Sequence, residues 1–245
     1  FIEEIKKVNL FIIGLGNVGK AFLEQVSNQQ AYLLDKLNMN LVIIGAANSK
    51  TMIFDEQGLG PTTFMEELPK SEVFNQVNFL EQMRTLNLRN SIFIDITASA
   101  TVAEIYEEVL KESISVVTPN KIAATREYKH YSLLKSLSKK YKSQFLFETN
   151  VGAGLPVLST LSDLVKSGDQ IIKIEAVLSG TLNFIFNNYD GNRPFVEVVK
   201  LAKKEGYTEP DPRLDLSGED VMRKILILAR ESGYQFDLDD VMGNS

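Results

Sequence analysis

An α/β architecture is what this sequence predicts: a doubly wound, mostly parallel sheet followed by a second, α+β domain. Three observations predict it. Short, continuous apolar runs alternate with helix-like stretches through the first 148 residues, the order of right-handed βαβ units. Gly14-Leu-Gly-Asn-Val-Gly19 follows the first apolar run directly, where a Rossmann-type sheet carries its phosphate-binding turn. The alternation stops after Glu148, which sets domains of residues 1–148 and 149–245.

The elements follow in order. Val8-Asn-Leu-Phe-Ile-Ile13 reads as a buried strand, with a helix from Val18 to about Lys36 behind the glycine loop. A second strand, Asn40 to Ala46, runs into Ala47-Asn-Ser-Lys50. A helical stretch from Phe64 to Arg84 leads to strand Ser91–Asp95. Helix 101–111 leads to strand Ser113–Val117, and helix 126–141 to strand Gln144–Phe147. These runs are apolar throughout, as expected when helices cover both sheet faces. Beyond the boundary, Gly152-Ala-Gly-Leu-Pro156 opens a helix over 156–166, with Pro156 suited to its first turn. Gln170–Leu178 alternates and is β-branched like a strand. A short helix near 181–188, an amphipathic helix from Phe195 to Lys204, an acidic loop and a helix from Glu219 to Glu231 complete the pattern.

Composition removes several classes of function. A hydrophobic fraction of 44% with 24% charged residues is that of a globular chain. The net charge of −6, with no basic stretch to offset it, argues against nucleic acid. Cysteine is absent, so disulfides, thiolate metal sites and cysteine nucleophiles are excluded, which fits the cytoplasm. No apolar run approaches the ~20 residues that span a bilayer, so no membrane partner is expected. The start, Phe1-Ile-Glu-Glu-Ile-Lys-Lys, has no signal-peptide pattern and no initiator Met, and suggests a cut from something longer.

The glycine loop sits in the context that gives its motif meaning. Its glycines allow the tight turn, the close approach of a pyrophosphate and helix–strand packing. The same letters imitate a P-loop, Gly14-x4-Gly19-Lys20, but position 21 is Ala, where Ser or Thr must hold Mg²⁺. No acid for a ribose 2′-hydroxyl stands after the second strand. Asn48, Ser49 and Lys50 stand there instead and favour a 2′-phosphate, hence NADP over NAD; a solvated turn is the structural alternative. Val116-Val-Thr-Pro-Asn-Lys121 puts a lysine just past a strand's C-terminal end, the edge where open α/β sheets bind ligands, although a Pro-Asn turn also places lysines at surfaces. Tyr131 and Lys135 match the Tyr/Lys spacing of short-chain dehydrogenases, but lie in a polar helix and read as structural, with His130 solvated beside them.

The richest segment is Gly206-Tyr-Thr-Glu-Pro-Asp-Pro-Arg-Leu-Asp-Leu-Ser-Gly-Glu-Asp-Val-Met-Arg-Lys224. Asp220 and Lys224 are four apart and share one helical face. Ser217-x-x-Asp220 also resembles a capping box, so an ordinary helix-start acid with an exposed partner is the plain alternative. Against it stand Val221, Met222, Ile225, Leu226, Ile227 and Leu228, an all-round apolar setting that predicts a buried helix. Glu209, Asp211 and Asp215 are loop carboxylates that can hold an ammonium group or remain solvated.

At these residues the chain resembles homoserine dehydrogenase, most closely the dehydrogenase part of bifunctional aspartokinase/homoserine dehydrogenases. The matching blocks are Gly14–Gly19, Ala47–Lys50, Val117–Lys121, Thr149-Asn-Val-Gly-Ala-Gly-Leu-Pro156, Leu178-Ser-Gly-Thr181 and Gly206–Lys224. The resemblance implies reversible reduction of L-aspartate 4-semialdehyde to L-homoserine with NADP (or NAD), in threonine, methionine and isoleucine biosynthesis. It implies Lys224 as acid/base, Asp220 as orienting group and Lys121 as assistant. Glu209 and Asp215 would grip the substrate ammonium, and Gly180, Thr181 and Tyr207 would shape the pocket. Cofactor contacts are expected from Gly14, Gly16, Asn17, Val18, Gly19, Asn48, Ser49, Lys50, Thr97, Ala98 and Lys121. Glu148 and the carbonyls of Val151, Ala153 and Leu155 resemble the family's monovalent-cation site, usually sodium. A homo-oligomer, most simply a dimer joined through the second domain, and a native fusion to an aspartokinase also follow. Leu214 departs from an acid common in the family's motif, while Asp215 keeps the next carboxylate. The family continues past residue 245, so the chain reads as trimmed, and a non-catalytic NADP-binding or regulatory fragment is the competing function. A phosphorylating semialdehyde dehydrogenase is excluded by the missing cysteine nucleophile.

Overall fold

The computed structural model describes residues 4–208 and 211–242. The chain divides into two compact units, Phe1–Ala123 with Lys129–Phe147, and Ala124–Tyr128 with Glu148–Ser245.

The first unit is built on a seven-stranded sheet. Its strands are β1 (Lys6–Ile13), β2 (Met39–Ala47), β3 (Thr51–Leu59), β4 (Glu72–Val73), β5 (Ser91–Asp95), β6 (Ser115–Val117) and β7 (Phe145–Leu146). The order is β4-β3-β2-β1-β5-β6-β7. β2, β1, β5, β6 and β7 are parallel, whereas β3 and β4 are antiparallel additions. The connections are α1 (Asn17–Leu37), α2 (Gln76–Leu86), α3 (Ala100–Glu104), α4 (Tyr106–Lys111), α5 (Ile122–Thr125) and α6 (Tyr128–Lys140). Chain direction across the sheet reverses between β1 and β5, so the C-terminal ends of β1, β2 and β5 border a topological switch point.

Side-chain alternation divides the sheet's faces. Val8, Leu10 and Ile12 of β1 join Ile43 of β2 and Ile94 of β5 in one core with Leu23 of α1. Phe11 and Phe93, paired in register, belong to a row on the other face: Phe11, Phe54, Phe79, Phe93, Tyr106, Phe145 and Phe147, with successive centroids 4.8–6.5 Å apart. Such pairs contribute ~0.5–1.5 kcal/mol each beyond their burial.

Two expectations change here. The segment Phe64–Arg84 is not one helix: two 3₁₀ turns (Thr63–Glu66 and Leu68–Lys70) and β4 precede α2. Pro69 suits the start of the second turn, and the Asn75 side chain, which accepts from Asn78 N at 3.0 Å, fixes where α2 begins. β3 was not expected after Lys50. Asn48 creates it, since its Oδ1 accepts from Lys50 N (2.7 Å) and Thr51 N (2.9 Å) and turns the chain back onto β2.

The described residues of the second unit form α7 (Val157–Lys166), α8 (Gly180–Asn188), α9 (Phe195–Lys204), α10 (Pro212–Leu216), α11 (Glu219–Glu231) and α12 (Leu238–Met242). The predicted strand Gln170–Leu178 carries no strand pairing among the described residues. It runs beside α11 instead, and Ile171, Ile174, Ile225 and Leu228 line an apolar groove of about 440 Å³. Arg230, buried on α11, explains why 124–128 belongs to this unit. Its guanidinium donates to the carbonyls of Ala124 (2.8 Å) and Phe236 (3.0 Å) and to Asp237 Oδ1 (2.9 Å). Asp237 Oδ1 also accepts from Tyr128 N at 2.6 Å.

Candidate active site

The first unit offers an open edge at its switch point. β1 runs into Gly14, which has φ +109° and no room for a side chain: a Cβ there would lie 2.3 Å from the Ile96 carbonyl oxygen. A Cβ on Gly19 would lie 2.2 Å from the Gly14 carbonyl oxygen, so this glycine lets α1 close onto the strand. Gly16 faces open space and caps α1 without a side-chain hydrogen bond. The first turn of α1 carries no acid, so its N–H groups and dipole suit an anion. The loop borders a cavity of about 720 Å³ that is also lined by Asn48, Ser49, Lys50, Thr97, Ala98 and Ser99. That cradle fits a dinucleotide in donor chemistry and in volume.

Beneath the cavity lies a polar assembly centred on a residue that no motif signalled. Asp95, at the end of β5, is fully buried. Its Oδ1 accepts from Thr97 N at 2.8 Å, and its Oδ2 from Tyr106 Oη at 2.5 Å and Asn120 Nδ2 at 3.1 Å. Thr118 Oγ1 donates to the Asp95 carbonyl at 2.8 Å and accepts from Asn120 N at 2.9 Å. Burial pushes the Asp95 carboxyl above its ordinary range, against the lowering effect of these donors. Burial likewise raises the Tyr106 hydroxyl, with the neighbouring Asp95 adding to it.

The second unit gathers the other chemistry-bearing side chains around α8, α10 and α11. Lys224 Nζ lies 2.7 Å from Asp220 Oδ2, the i,i+4 pair read from the sequence, and donates to the Leu178 carbonyl at 2.8 Å. The Lys224 side chain is 19% exposed and that of Asp220 54%. Three residues after Leu178, the buried Thr181 hydroxyl donates to the Tyr207 carbonyl and lies 3.0 Å from Asp215 Oδ1. The Tyr207 ring stacks on Phe184 at 4.2 Å. Ser179 caps α8 by accepting from Leu182 N, and the next residue, Gly180, leaves open space where a Cβ would stand.

α11 itself differs from the all-round buried helix expected. Leu226, Ile227, Leu228 and Arg230 are buried, but Val221, Met222 and Lys224 are half-buried and Ile225 is exposed. Polar groups are therefore tolerated on its first turns. No capping box forms either, because Gly218, with φ +72°, is the cap, and Ser217 lies one residue before it.

Against this geometry the comparisons are specific. The family model described as "Homoserine dehydrogenase, NAD binding domain" matches residues 14–148, and that described as "Homoserine dehydrogenase" matches residues 156–245. The chain belongs to the homoserine dehydrogenase family. The bifunctional aspartokinase/homoserine dehydrogenase 1 of Zea mays is 43% identical over 232 residues, 94% of this chain and 25% of that protein. The bifunctional enzyme of Haemophilus influenzae is also 43% identical, over 96% of this chain and 29% of its own length. The chain thus spans about a quarter of the curated relatives it matches. Among solved structures, a Candida auris protein of unknown function aligns with TM-score 0.84 and 31% identity, covering 96% of this chain and 66% of that one. A hyperthermophilic archaeal homoserine dehydrogenase mutant, solved with NADPH, aligns with TM-score 0.78 and 27% identity over 93% and 70%.

Within the homoserine dehydrogenase fold, the predicted residues sort by unit. Gly14, Gly16, Asn48, Ser49, Lys50, Thr97 and Ala98 share one cavity wall; Asn17, Val18 and Gly19 form the first turn of α1 beside it. Asn48 does double duty, its side-chain oxygen being committed to the hairpin turn. Lys121 follows Asn120, one of the residues tied to Asp95. Thr181, Tyr207, Asp215, Asp220 and Lys224 gather in the second unit, while Glu209 lies outside the described residues. The Glu148 carboxylate is committed to α7, accepting from Leu158 N (2.9 Å) and Ser159 N (2.8 Å). The loop after it is left-handed at Gly152 (φ +81°) and Ala153 (φ +51°). Asn150 is fully buried there, and neither polar atom of its amide has a hydrogen-bond partner among the described residues. Tyr131 is buried, and His130 is half-buried rather than solvated.

Proposed function

We propose that this chain catalyses the reversible reduction of L-aspartate 4-semialdehyde to L-homoserine with NADPH or NADH, in a cytoplasmic setting. The observation that carries the reading is the Lys224 ammonium, anchored by Asp220 and the Leu178 carbonyl. An ammonium has three N–H donors. Two are used by these anchors, and among the described residues the third is left for a substrate oxygen. A nicotinamide coenzyme held at the glycine loop and Asn48–Lys50 would supply the hydride for the aldehyde carbon. Lys224 stabilises the oxyanion that results and protonates it from Nζ, the work of a positioned general acid. In the reverse direction the amine accepts the hydroxyl proton. Asp220 fixes the rotamer of the lysine.

Substrate recognition falls to the groups around α8. Asp215, fixed by Thr181, and Glu209 in the same acidic segment supply carboxylates for the substrate ammonium. Tyr207, stacked on Phe184, walls the pocket, and Gly180 keeps the start of α8 free of a side chain. Lys121 assists at the nicotinamide.

The nucleotide reading favours NADP, because Lys50 and Ser49 border the cavity where an NAD enzyme would carry an acid. A monovalent cation, sodium foremost, held by Glu148 and the carbonyls of Val151, Ala153 and Leu155, is part of this reading. The unpartnered amide of Asn150 supports a polar occupant nearby. A homodimer is part of this reading, as is fusion of the native chain to an aspartokinase, the arrangement in the relatives' names. Initial rates of NADP reduction by L-homoserine test the function: turnover supports it, and binding of NADP without turnover favours the regulatory fragment.

A further inference from the structure

We propose that Asp95 is a positioning residue, holding the cofactor cavity's floor and the Lys121 loop in one fixed arrangement; this rests on the dehydrogenase reading above. A carboxylate with no exposed surface is costly unless its oxygens are satisfied. An apolar side chain at the end of β5 would close the core with less difficulty. Here two of the three donors to the carboxylate have a consequence at the open edge of the sheet. Thr97 N, bound to Oδ1 at 2.8 Å, belongs to the loop that lines the cavity. Asn120 Nδ2, bound to Oδ2 at 3.1 Å, belongs to the loop that carries Lys121. Tyr106, at the start of α4, donates from below at 2.5 Å and closes the set.

The Asn120 amide extends the tie to both sides of Lys121. Its nitrogen also donates to the Ser99 carbonyl at 3.0 Å, and its oxygen accepts from Ile122 N at 3.0 Å. The main chain of Lys121 is thus held between Asn120 and Ile122 by one side chain, which is itself fixed by Asp95. The lysine and the cavity wall at Thr97–Ser99 share a single buried anchor. Displacing it moves both, and a shift of about 1 Å in a reacting geometry costs on the order of 10²-fold in rate.

Asp95→Asn in the full chain is the direct test. The amide conserves volume but turns one acceptor into a donor, and so breaks the set. It should weaken NADPH binding by roughly tenfold and lower kcat by roughly 10–100-fold. Because the rate effect acts through Lys121, it should shrink to about threefold or less in a Lys121→Ala background, the non-additivity of coupled residues. Phe79→Leu, in the same core and away from the cavity, serves as a control of reduced melting temperature. An equal loss of kcat in both Lys121 backgrounds, or a loss matched by Phe79→Leu, overturns the proposal. If Asp95→Asn fails to fold, Tyr106→Phe keeps the carboxylate and should show the same Lys121-dependent loss at roughly 3–10-fold. A parent chain that binds NADPH but does not oxidise homoserine sinks the functional reading alone. The positioning role then stands or falls on the tenfold loss of NADPH affinity.

Discussion

At the scale of single residues, the chemistry rests on charges held where water is scarce. Asp95 is the clearest case, and its titration gives a prediction with a definite sign. Its folded-state value lies above the ordinary carboxylate value of about 4 because burial outweighs its donors. The native state therefore binds more protons than the unfolded state between the two values. Stability from this group is fully present below the unfolded value and is lost as pH rises through the folded one. Asp95→Asn removes that dependence. The melting-temperature advantage of the parent over Asp95→Asn should widen as pH falls from neutrality toward about 4; thermal scans across that range with a constant gap would contradict it. The residue scale is also where sequence reading was most uneven. The Lys224–Asp220 pair was legible because four-residue spacing fixes a helical face. The tie of Asp95 to Tyr106, Thr118 and Asn120 was not, because those bonds join residues 11 to 25 apart and Asp95 belongs to no motif.

At the scale of elements, strand and helix identities were legible where packing agrees with local preference. The run from Glu219 to Glu231 is helical over that span, and the first two parallel strands fall where their apolar runs lie. The misreadings have physical causes. β3 depends on one Asn side chain that converts a loop into a hairpin. Gln170–Leu178 has strand composition, but a strand is defined by a partner, and composition does not supply one. The excursion of 124–128 into the second unit depends on Arg230, whose bond to Ala124 spans 106 positions. Arg230→Met removes three hydrogen bonds, one of them the ion pair to Asp237, from a buried position, and the half-exposed Asp237 is the charged group left behind. The loss should be about 3 kcal/mol, the lower end for breaking a buried pair. Urea unfolding measures it, and a change below about 1 kcal/mol would reduce Arg230 to one more surface-class contact.

At the scale of the whole molecule, the proposed function divides labour: an anion-binding sheet edge in one unit and an acid/base cluster in the other. The first gives a prediction on coenzyme choice. NADP should bind at least as well as NAD, and Lys50→Ala should erode the difference, because a charge-assisted bond to the 2′-phosphate contributes ~1.5–3 kcal/mol. Calorimetric titration of both coenzymes decides it, and a clear NAD preference in the parent would contradict the assignment of Asn48-Ser49-Lys50. The second unit predicts the assembly. Ile172 and Val177 are 96% and 76% exposed on an extended, unpaired segment, and such edges invite pairing with another chain. Light scattering should therefore return a dimer mass, and a monomer at micromolar concentration would contradict it. The central claim is that Lys224 moves the proton. It is tested most directly by steady-state oxidation of L-homoserine by Lys224→Met, followed at the reduced-nicotinamide absorbance, with coenzyme affinity measured in parallel. The account predicts a kcat lower by roughly 10²–10⁴ with coenzyme affinity nearly unchanged; a variant with near-normal kcat would contradict it.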